Sequence, residues 1–509
     1  MSNLLRGTIF KFSCLTITMA VFMPPAYADE ASQPTPSANV DRVSQLIVKL
    51  RPAALAASAS ADGNRPAGIR GVIDRVLETR QKRRSVRLFG AAASAAPGNA
   101  GDPAAGLRVK REMSDGAVVL SLQRLVSTAE AKVLAKDFEV DSDVEYVEPD
   151  ARMHPFLAPN DTRYSEQWGY FNPVGGANLP KAWDLTTGSD KIVVAVIDTG
   201  YRPHADLVAN LLPGYDFVTD VETANDGDGR DADASDPGDW VTKEEVDDPN
   251  GWFHGWCNTY RDGNTYATNS TWHGTHVAGT VGAVTNNGAG VAGVSWKGKI
   301  LPVRVMGKCG GLMSDIADGM RWAAGLEVPG VPINKYPAKV LNLSLGSEAD
   351  TCSQTYQNAI NAVTAAGVVV VVAAGNFNAL AETAQPANCQ GVIAVGASDS
   401  AGKRTSISNY GATVKISAPG IGILSTLNSG NKAPAQDSYA SGLGTSVAAP
   451  HVAGTVALML AVNPALKPAQ VLQKLQATAR PFPSDSNCTA STCGAGLLDA
   501  GAAVSSAMK

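Results

Sequence analysis

Short, uninterrupted apolar runs constrain the fold of this chain more than any other feature. Residues 192–197 form such a run, which stops at Asp198-Thr199-Gly200, and Val368–Val372 form another, which stops at Ala373-Ala374-Gly375-Asn376. Runs of this length without polar alternation are typical of strands that are buried on both faces of a parallel sheet. Because α/β sheets bind ligands at the carboxyl ends of their strands, we expect Asp198 to lie at a ligand-binding edge.

Strand and helix signals alternate from Pro159 to Lys509, which predicts an α/β fold with a doubly wound, mostly parallel sheet. Further strands are predicted at Lys299–Val305, Lys339–Leu345 and Gly391–Ala397, and helices at Ser314–Ala324, Ser353–Ala366, Thr445–Ala461 and Pro468–Ala479.

Two further blocks carry nucleophilic and acid–base side chains. Ser446 follows Gly444-Thr445 and precedes small residues up to Gly454, so it can lie at the mouth of a buried helix whose first amides face a developing negative charge. His273 opens another segment of small residues, which runs to Thr280. A Gly-x-Ser triplet alone is usually a turn, but here an acid, an imidazole and a hydroxyl follow one another in the chain.

Together the three blocks resemble those of the subtilisin-like serine peptidases, which have this order of Asp, His and Ser. The resemblance implies that Ser446 is the nucleophile, His273 the general base and Asp198 the residue that orients His273. His276 is expected to be a packed histidine. The resemblance also makes Asn376 an oxyanion donor beside the backbone N–H of Ser446, the alternative being a buried asparagine at a turn.

The same resemblance implies a groove that holds an extended peptide by backbone hydrogen bonds. One wall is Ser344-Leu345-Gly346, and the other contains Gly310-Gly311, for which a simple turn is the alternative. Small residues, namely Ala373, Ala374 and Gly375, are expected to line a primary pocket that admits a sizeable apolar side chain.

Calcium is the cofactor that the resemblance implies, in a structural role. Its ligands are expected to be carboxylate, amide and backbone oxygens, as a hard cation of this size prefers. The alternative is an ordinary Asn-Gly turn. The expected ligands are the side chains of Asp161, Asp206 and Asn287 and the carbonyl groups of Val284, Ala289 and Val291.

An acidic loop at residues 225–239 has the charge density of a second calcium site but lacks the EF-hand pattern of glycine and glutamate. So many carboxylates in one loop repel one another unless a cation joins them. A solvated acidic loop is an equal alternative. The candidate ligands are Asp226, Asp228, Asp231, Asp233 and Asp236.

The N-terminal third predicts two segments that do not belong to the catalytic domain. Residues 1–28 have the charged, apolar and small-residue parts of a secretory signal, and no later stretch is expected to be long and apolar enough to span a membrane. Residues 29–157 predict a small α+β unit, with Ala-rich loops at 52–68 and 91–106. This unit resembles the ferredoxin-like inhibitory propeptide of the same family, with a junction near Ala151–Ala158 and the peptidase domain at 158–509.

Six cysteines remain after a signal containing Cys14 is removed, and an even number in an exported chain favours disulfides over free buried thiols. Fifteen pairings are formally open to six cysteines. Spacing favours Cys488–Cys493 and Cys352–Cys389, which leaves Cys257–Cys309.

These expectations describe a secreted, extracellular, monomeric serine endopeptidase that acts on proteins and peptides and is inhibited by its own propeptide. The net charge of −5 argues against a nucleic-acid partner. Most similar are extracellular proteases of Gram-negative bacteria. An acid-acting sedolisin type would have Glu in place of His273 and Asp in place of Asn376 and is therefore disfavoured. The remaining alternative is a catalytically silent binding protein.

Overall fold

The computed structural model describes residues 42–60, 68–90, 107–151, 157–254, 257 and 266–509. Contacts divide the chain into two compact units, residues 1–154 and residues 155–509. The expected signal at residues 1–28 lies outside the described residues, as does most of the expected junction.

The first unit is an α+β fold with its own core. Its strand order, β2-β3-β1-β4, and its antiparallel pairing are those of a ferredoxin-like βαββαβ unit. Apolar side chains of alternate strand positions pack against α2 and α3. The elements are β1 (Arg42–Leu50), α1 (Pro52–Ser60), α2 (Ile69–Gly90), β2 (Arg108–Glu112), β3 (Val118–Ser127), α3 (Thr128–Glu139) and β4 (Val144–Pro149).

One local prediction in this unit is wrong. Residues 52–60 form helix α1, whereas their alanine-rich composition predicts part of a loop. Alanine has the highest helix propensity, and Pro52 occupies the first helical position, where its missing N–H has no cost. The helix also buries Ala54 in the core of the unit. The rest of that segment and the second Ala-rich segment lie outside the described residues.

The second unit alternates strands and helices as the sequence predicts. Its strands are β5 (Val193–Asp198), β6 (Tyr215–Asp216), β7 (Lys299–Arg304), β8 (Val340–Leu343), β9 (Ser347–Glu348), β10 (Val369–Ala373), β11 (Ala384–Gln385), β12 (Val392–Ser398), β13 (Val414–Pro419), β14 (Ile421–Asn428) and β15 (Asp437–Leu443). Its helices are α4 (Trp168–Phe171), α5 (Leu179–Trp183), α6 (Val221–Ala224), α7 (Lys243–Asp247), α8 (His273–Gly282), α9 (Met313–Ala323), α10 (Gln354–Ala365), α11 (Thr445–Val462), α12 (Pro468–Thr478), α13 (Ala490–Cys493) and α14 (Ala500–Ala507).

A parallel sheet of seven strands organises the described part of this unit, in the order β13-β12-β10-β8-β5-β7-β6. The expected doubly wound α/β fold is therefore confirmed. The strand order reverses at β5, because later strands flank it on both sides. Carboxyl ends at such a switch point form a crevice, and Asp198 is the last residue of β5.

Successive residues of β5 are buried on opposite faces of the sheet. Val194 and Val196 join a core with α8 and α11, and Ala195 and Ile197 join a second core with α9 and α10. Burial on both faces explains why the sequence of β5 is continuously apolar.

Helix α11 is long and apolar enough to cross a membrane by length and composition, contrary to the expectation from the sequence. It is nevertheless 89% buried inside the second unit, where it packs between the sheet, α8 and α14. Such a composition is also that of the central helix of a folded core.

Three disulfides close segments of the second unit. The structure joins Cys257 to Cys309, Cys352 to Cys389, and Cys488 to Cys493. The first connects the segment before α8 to the turn after β7, the second connects the segment before α10 to the segment before β12, and the third closes a short loop around α13.

Candidate active site

Asp198 and His273 meet where β5 ends and α8 begins. The Asp198 side chain is fully buried, and its Oδ1 accepts hydrogen bonds from His273 Nδ1 and from the backbone N–H of Thr199, each 2.8 Å long. Gly274 allows this approach, because a Cβ there would lie 2.1 Å from the carbonyl oxygen of Gly200. Since a carboxylate only accepts, Nδ1 carries the imidazole proton and Nε2 is left as a base.

The charge of Asp198 stabilises the protonated form of His273. Burial opposes that form, but the attraction and hydrogen bond of Asp198, with smaller effects of Asp239 and Asp236, raise the pKa of His273 above its ordinary value. The imidazole retains 28% of its exposure, so it can exchange a proton with a ligand. The pair therefore has the geometry and the field of a general base with its orienting acid.

Ser446 lies in the first turn of α11, directly after Gly444-Thr445. Gly444 has φ +132°, a conformation that side chains rarely adopt, and this turns the chain from β15 into the helix. The backbone carbonyl of Ser446 accepts a 2.6 Å hydrogen bond from Ser344 Oγ, which in turn accepts from Asn342 Nδ2. The serine is thus fixed to the end of β8 and has a helix N-terminus behind it.

Asn376 follows β10 and lies beside the first turn of α11, which carries Ser446. Its Oδ1 accepts hydrogen bonds from the backbone N–H and the hydroxyl of Thr445, at 2.8 Å and 2.9 Å. These two donors fix the orientation of the amide, so that Nδ2 is the atom left to donate. A fixed donor beside the N-terminal turn of a helix is what a developing oxyanion requires.

A cleft of about 240 Å³ brings these groups together. Its walls include the predicted triad members His273 and Ser446, the amide of Asn376 and most of the predicted groove. Of the predicted groove residues, Ser344, Leu345, Gly346, Ala373 and Gly375 line the cleft, together with Ser347, Phe377, Ala384, Gln385 and Thr445.

Three predicted groove residues lie outside this lining. Ala374 is fully buried behind the wall. Gly310 and Gly311 belong to the turn after β7, in which Gly307 and Gly310 exchange backbone hydrogen bonds. Cys309, at the same turn, carries the disulfide to Cys257.

The predicted side-chain ligands of the first calcium site lie on three neighbouring loops, with Asp161 before α4, Asp206 after β5 and Asn287 after α8. Asp161 Oδ2 accepts from the backbone N–H of Asn286, and its buried Oδ1 has no hydrogen-bond partner. Asp206 is nearby and accepts from Asn287 Nδ2 and from the N–H of Val291. Burial raises the pKa of Asp161, and the charge of Asp206 adds to this effect.

This arrangement fits a hard cation in part. Two buried carboxylates repel each other, and the free oxygen of Asp161 calls for a positive partner. Val284 donates its N–H to the carbonyl of Asp206, which holds the loop against this pair. Asn287 Oδ1, expected as a ligand, accepts instead from the N–H of Ala289.

The acidic loop satisfies its carboxylates without a cation. Asp231 Oδ1 and Asp233 Oδ1 accept backbone N–H groups two residues ahead, and Asp226 forms ion pairs with Arg304, as does Asp216. Asp228 is exposed, and Asp236 binds Thr199 and Gly238. Within the described residues no three His, Cys, Asp or Glu side chains come together to hold a metal. The structure therefore gives the second calcium site no support.

Two residues of the site escape sequence reasoning. Thr445 orients Asn376, and the buried Asn409 holds the loop after β10 by donating to Ala374 O and accepting from the N–H groups of Phe377 and Ala379. Thr445 adjoins Ser446, which is a usable signal. Asn409 lies on a turn distant in sequence from either block, and no local pattern marks it.

Comparison with known proteins finds peptidases similar to this chain. The sequence profile described as the subtilase family matches residues 189–496. An "Extracellular protease" of Xanthomonas campestris is 49% identical over 418 residues, which cover 82% of this chain and 68% of that protein. An "Extracellular basic protease" of Dichelobacter nodosus is 43% identical over 398 residues, covering 77% of this chain and 63% of that protein.

A solved structure supports the same relation. A protease of Pseudoalteromonas arctica is 50% identical and superposes with a TM-score of 0.64. It corresponds to 69% of this chain and 100% of that one.

Proposed function

The chain belongs to the subtilase family, and from this premise we propose that this secreted serine endopeptidase cleaves proteins through an acyl-enzyme on Ser446. One observation carries the assignment of roles. The Asp198–His273 hydrogen bond lies beside a cleft that His273 itself, Ser446 and Asn376 all line. A catalytically silent protein would lack one of these groups, and the chain has them all.

Each residue has a distinct role in the proposed reaction. Ser446 Oγ attacks the substrate carbonyl carbon while Nε2 of His273 takes the hydroxyl proton. Asp198 keeps the proton on Nδ1 and stabilises the imidazolium that forms. Asn376 Nδ2 and the backbone N–H of Ser446 donate to the oxyanion of the tetrahedral intermediate. His273 then protonates the leaving amine and activates the water that hydrolyses the ester.

Substrate selection rests on the walls of the cleft. Leu345 and Gly346 lie along one side, where an extended peptide can add backbone hydrogen bonds. Ala373 and Gly375 leave space between them for a sizeable apolar side chain on the residue before the cut. The small side chains of this wall would exclude few apolar residues by size.

Calcium, when bound, supplies charge compensation between loops and no chemical step. Asp161 and Asp206 would hold it, with carbonyl oxygens of Val284, Ala289 and Val291 as further ligands. Asn287 would join them through the lone pair of Oδ1 that the N–H of Ala289 leaves open. The unpartnered, buried Asp161 Oδ1 is the observation that supports this proposal.

Residues 29–157 are proposed to be an inhibitory propeptide that the enzyme removes from itself, and residues 1–28 a secretory signal. A compact first unit that ends at His154 supports this division, because the cut expected near residues 151–158 would separate two independent cores. The mature enzyme is proposed to act as a monomer.

An active-site label tests the assignment directly. Phenylmethylsulfonyl fluoride should add one sulfonyl group to wild-type protein, mapped to the peptide that contains Ser446, and should abolish hydrolysis of casein. Ser446→Ala should take up no label and cleave nothing, while Ser491→Ala, which alters an exposed serine, should behave like the wild type. Residual proteolysis or labelling in Ser446→Ala protein would contradict the proposed nucleophile.

A further inference from the structure

Asp236 is buried next to the catalytic pair, although it belongs to the acidic loop and the proposed reaction gives it no role. It is 1% exposed, whereas Asp228 and Asp233 of the same loop are exposed. Its Oδ2 accepts a 2.8 Å hydrogen bond from Thr199 Oγ1, and its Oδ1 accepts one of 2.8 Å from the N–H of Gly238. Burying a carboxylate is costly unless it is bound in this way, so its position calls for an explanation.

Thr199 connects Asp236 to both members of the pair. Its backbone N–H donates to Asp198 Oδ1, and its Oγ1 accepts a 3.0 Å hydrogen bond from the N–H of Gly274, the residue after His273. A hydroxyl has one proton to donate. Because Thr199 donates its hydroxyl hydrogen bond to Asp236, a lone pair of Oγ1 is directed to the N–H of Gly274. The Thr199 side chain thus joins the end of β5 to the start of α8.

We propose that Asp236 is a positioning residue, which fixes the Thr199 hydroxyl and thereby the approach of His273 to Asp198. The proposal rests on the proposed function, in which these two residues form the general base and its orienting acid. Asp236 acts through Thr199 and by its charge, without touching the substrate.

The backbone around Asp236 is held independently of its carboxylate. Its N–H donates to Tyr201 O, its carbonyl accepts from Arg202 Nη1, and the N–H of Tyr201 donates to Ala234 O. The loop thus stays attached to the segment after β5 when the side chain changes. In Asp236→Asn the amide can accept from Thr199, but its NH₂ group then meets the N–H of Gly238, so the hydrogen-bond network is broken at one end.

The charge of Asp236 belongs to the field at His273. The groups that act on the imidazole are Asp198 from β5, Asp236 and Asp239 from the acidic loop, and His276 from α8. Burial, with Asp239 adding, raises the pKa of Asp236 to about 7, while Thr199, Gly238 and Arg304 favour its ionised form. Above about pH 7 the ionised Asp236 raises the pKa of His273, so Asp236→Asn should lower that pKa and catalysis should persist to lower pH.

A mutant cycle on a small peptide substrate tests the proposal. Asp236→Asn and Thr199→Val should each lower kcat about tenfold and change KM by less than about twofold. Neither residue touches the bound substrate, so the loss should affect the transition state and not substrate binding. The double variant should lose no more than the worse single variant, and Thr199→Ser should restore most of the rate. The acid limb of kcat/KM should move to lower pH in Asp236→Asn. Glu222→Gln is the control, because it removes one negative charge at an exposed position of α6, in the segment that leads into the acidic loop. It should leave all these quantities unchanged.

Several outcomes overturn the proposal without touching the peptidase assignment. A wild-type kcat in Asp236→Asn, or additive losses in the double variant, would show that Asp236 does not act through Thr199. A third outcome is that Asp236→Asn lowers kcat without moving the acid limb of kcat/KM, and lowers the melting temperature when it is added to Ser446→Ala protein. That combined result would show that Asp236 has only a structural role. Activity in Ser446→Ala itself would instead overturn the proposed function.

Discussion

Asp198 determines the tautomer of His273 although it lies outside the lining of the cleft. Its carboxylate decides which nitrogen of His273 carries the proton. The tautomer with the proton on Nδ1 is the one that leaves Nε2 free to accept from Ser446. In the proposed reaction, Asp198 therefore acts by orienting His273, without contact to the substrate.

Replacing Asp198 by Asn should lower kcat by about 10⁴-fold, because an amide that donates to Nδ1 favours the wrong tautomer. The fold should persist, since Asn has the same shape. Turnover of a peptide anilide measures the effect, with Asp190→Asn, an exposed carboxylate of the same unit, as the matched control. A loss of less than tenfold would remove Asp198 from its assigned role.

Asn376→Ala should lower kcat by about 10²–10³-fold with little change in KM, because the donor acts on the oxyanion and not on the ground-state carbonyl. This size is borrowed from subtilisin, a member of the same family. Steady-state kinetics of the purified variant separate kcat from KM. A rise in KM with kcat unchanged would mean that Asn376 binds the substrate uniformly instead.

At the scale of elements, three loops converge on Asp161 and Asp206. The stability of this arrangement depends on what compensates the negative charges of the two carboxylates. A ligand that binds only the folded state at a hundredfold excess over its Kd stabilises by about 2.7 kcal/mol. Asp161→Ala should lower the melting temperature mainly when calcium is present, because the variant lacks a ligand for it. The measurement uses the Ser446→Ala background with calcium or EDTA, to prevent autolysis. Asp190→Ala is the control, and a wild-type calcium response in Asp161→Ala would refute the site.

The core helices make the second unit sensitive to acid. Burial, with His276 adding, lowers the pKa of His451 on α11 to about 4, and burial likewise lowers that of His276 on α8 to about 4. The unfolded chain protonates these side chains near 6.5, so their stabilising effect is complete above that pH and is lost as the pH falls towards 4. For each histidine the full difference is of the order of 3 kcal/mol.

The melting temperature of Ser446→Ala protein should therefore fall between about pH 7 and about pH 4.5, and adding His451→Leu should make this fall smaller. Leu cannot protonate, although it loses the hydrogen bond from Nδ1 to Val447 O and should lower the melting temperature at neutral pH. An equal fall in both proteins would show that His451 does not contribute to acid unfolding.

Sequence reasoning reached those elements whose signals are local. Those strands and helices of the second unit that the sequence predicts lie within about two residues of their predicted bounds, because burial on both faces leaves an unbroken apolar run. Strands β13, β14 and β15 are not among the predicted elements. Contacts that depend on long-range closure were missed. Asn409 supports the loop of Asn376 from 33 positions away, and Asp236 reaches Thr199 across 37. Nothing in either local sequence specifies the partner.

At the scale of the whole molecule, the two compact units have separate cores, so a cut between them need not disturb either one. A protease whose nucleophile acts on its own precursor must carry the cut site within reach of its cleft. Residues 151–158 lie in the sequence between the last residue of the first core, Val147, and the first residue of the second, Tyr170.

Intact mass of the exported protein decides whether the enzyme makes this cut itself. Wild-type protein should lose the residues up to a bond near 151–158, while Ser446→Ala should keep the length of the precursor, because the nucleophile is needed for its own release. Adding a trace of wild-type enzyme to Ser446→Ala separates cleavage between molecules from cleavage within one. Equal trimming of both proteins in the absence of added enzyme would assign maturation to another protease, and the self-processing proposal would fail while the peptidase remained.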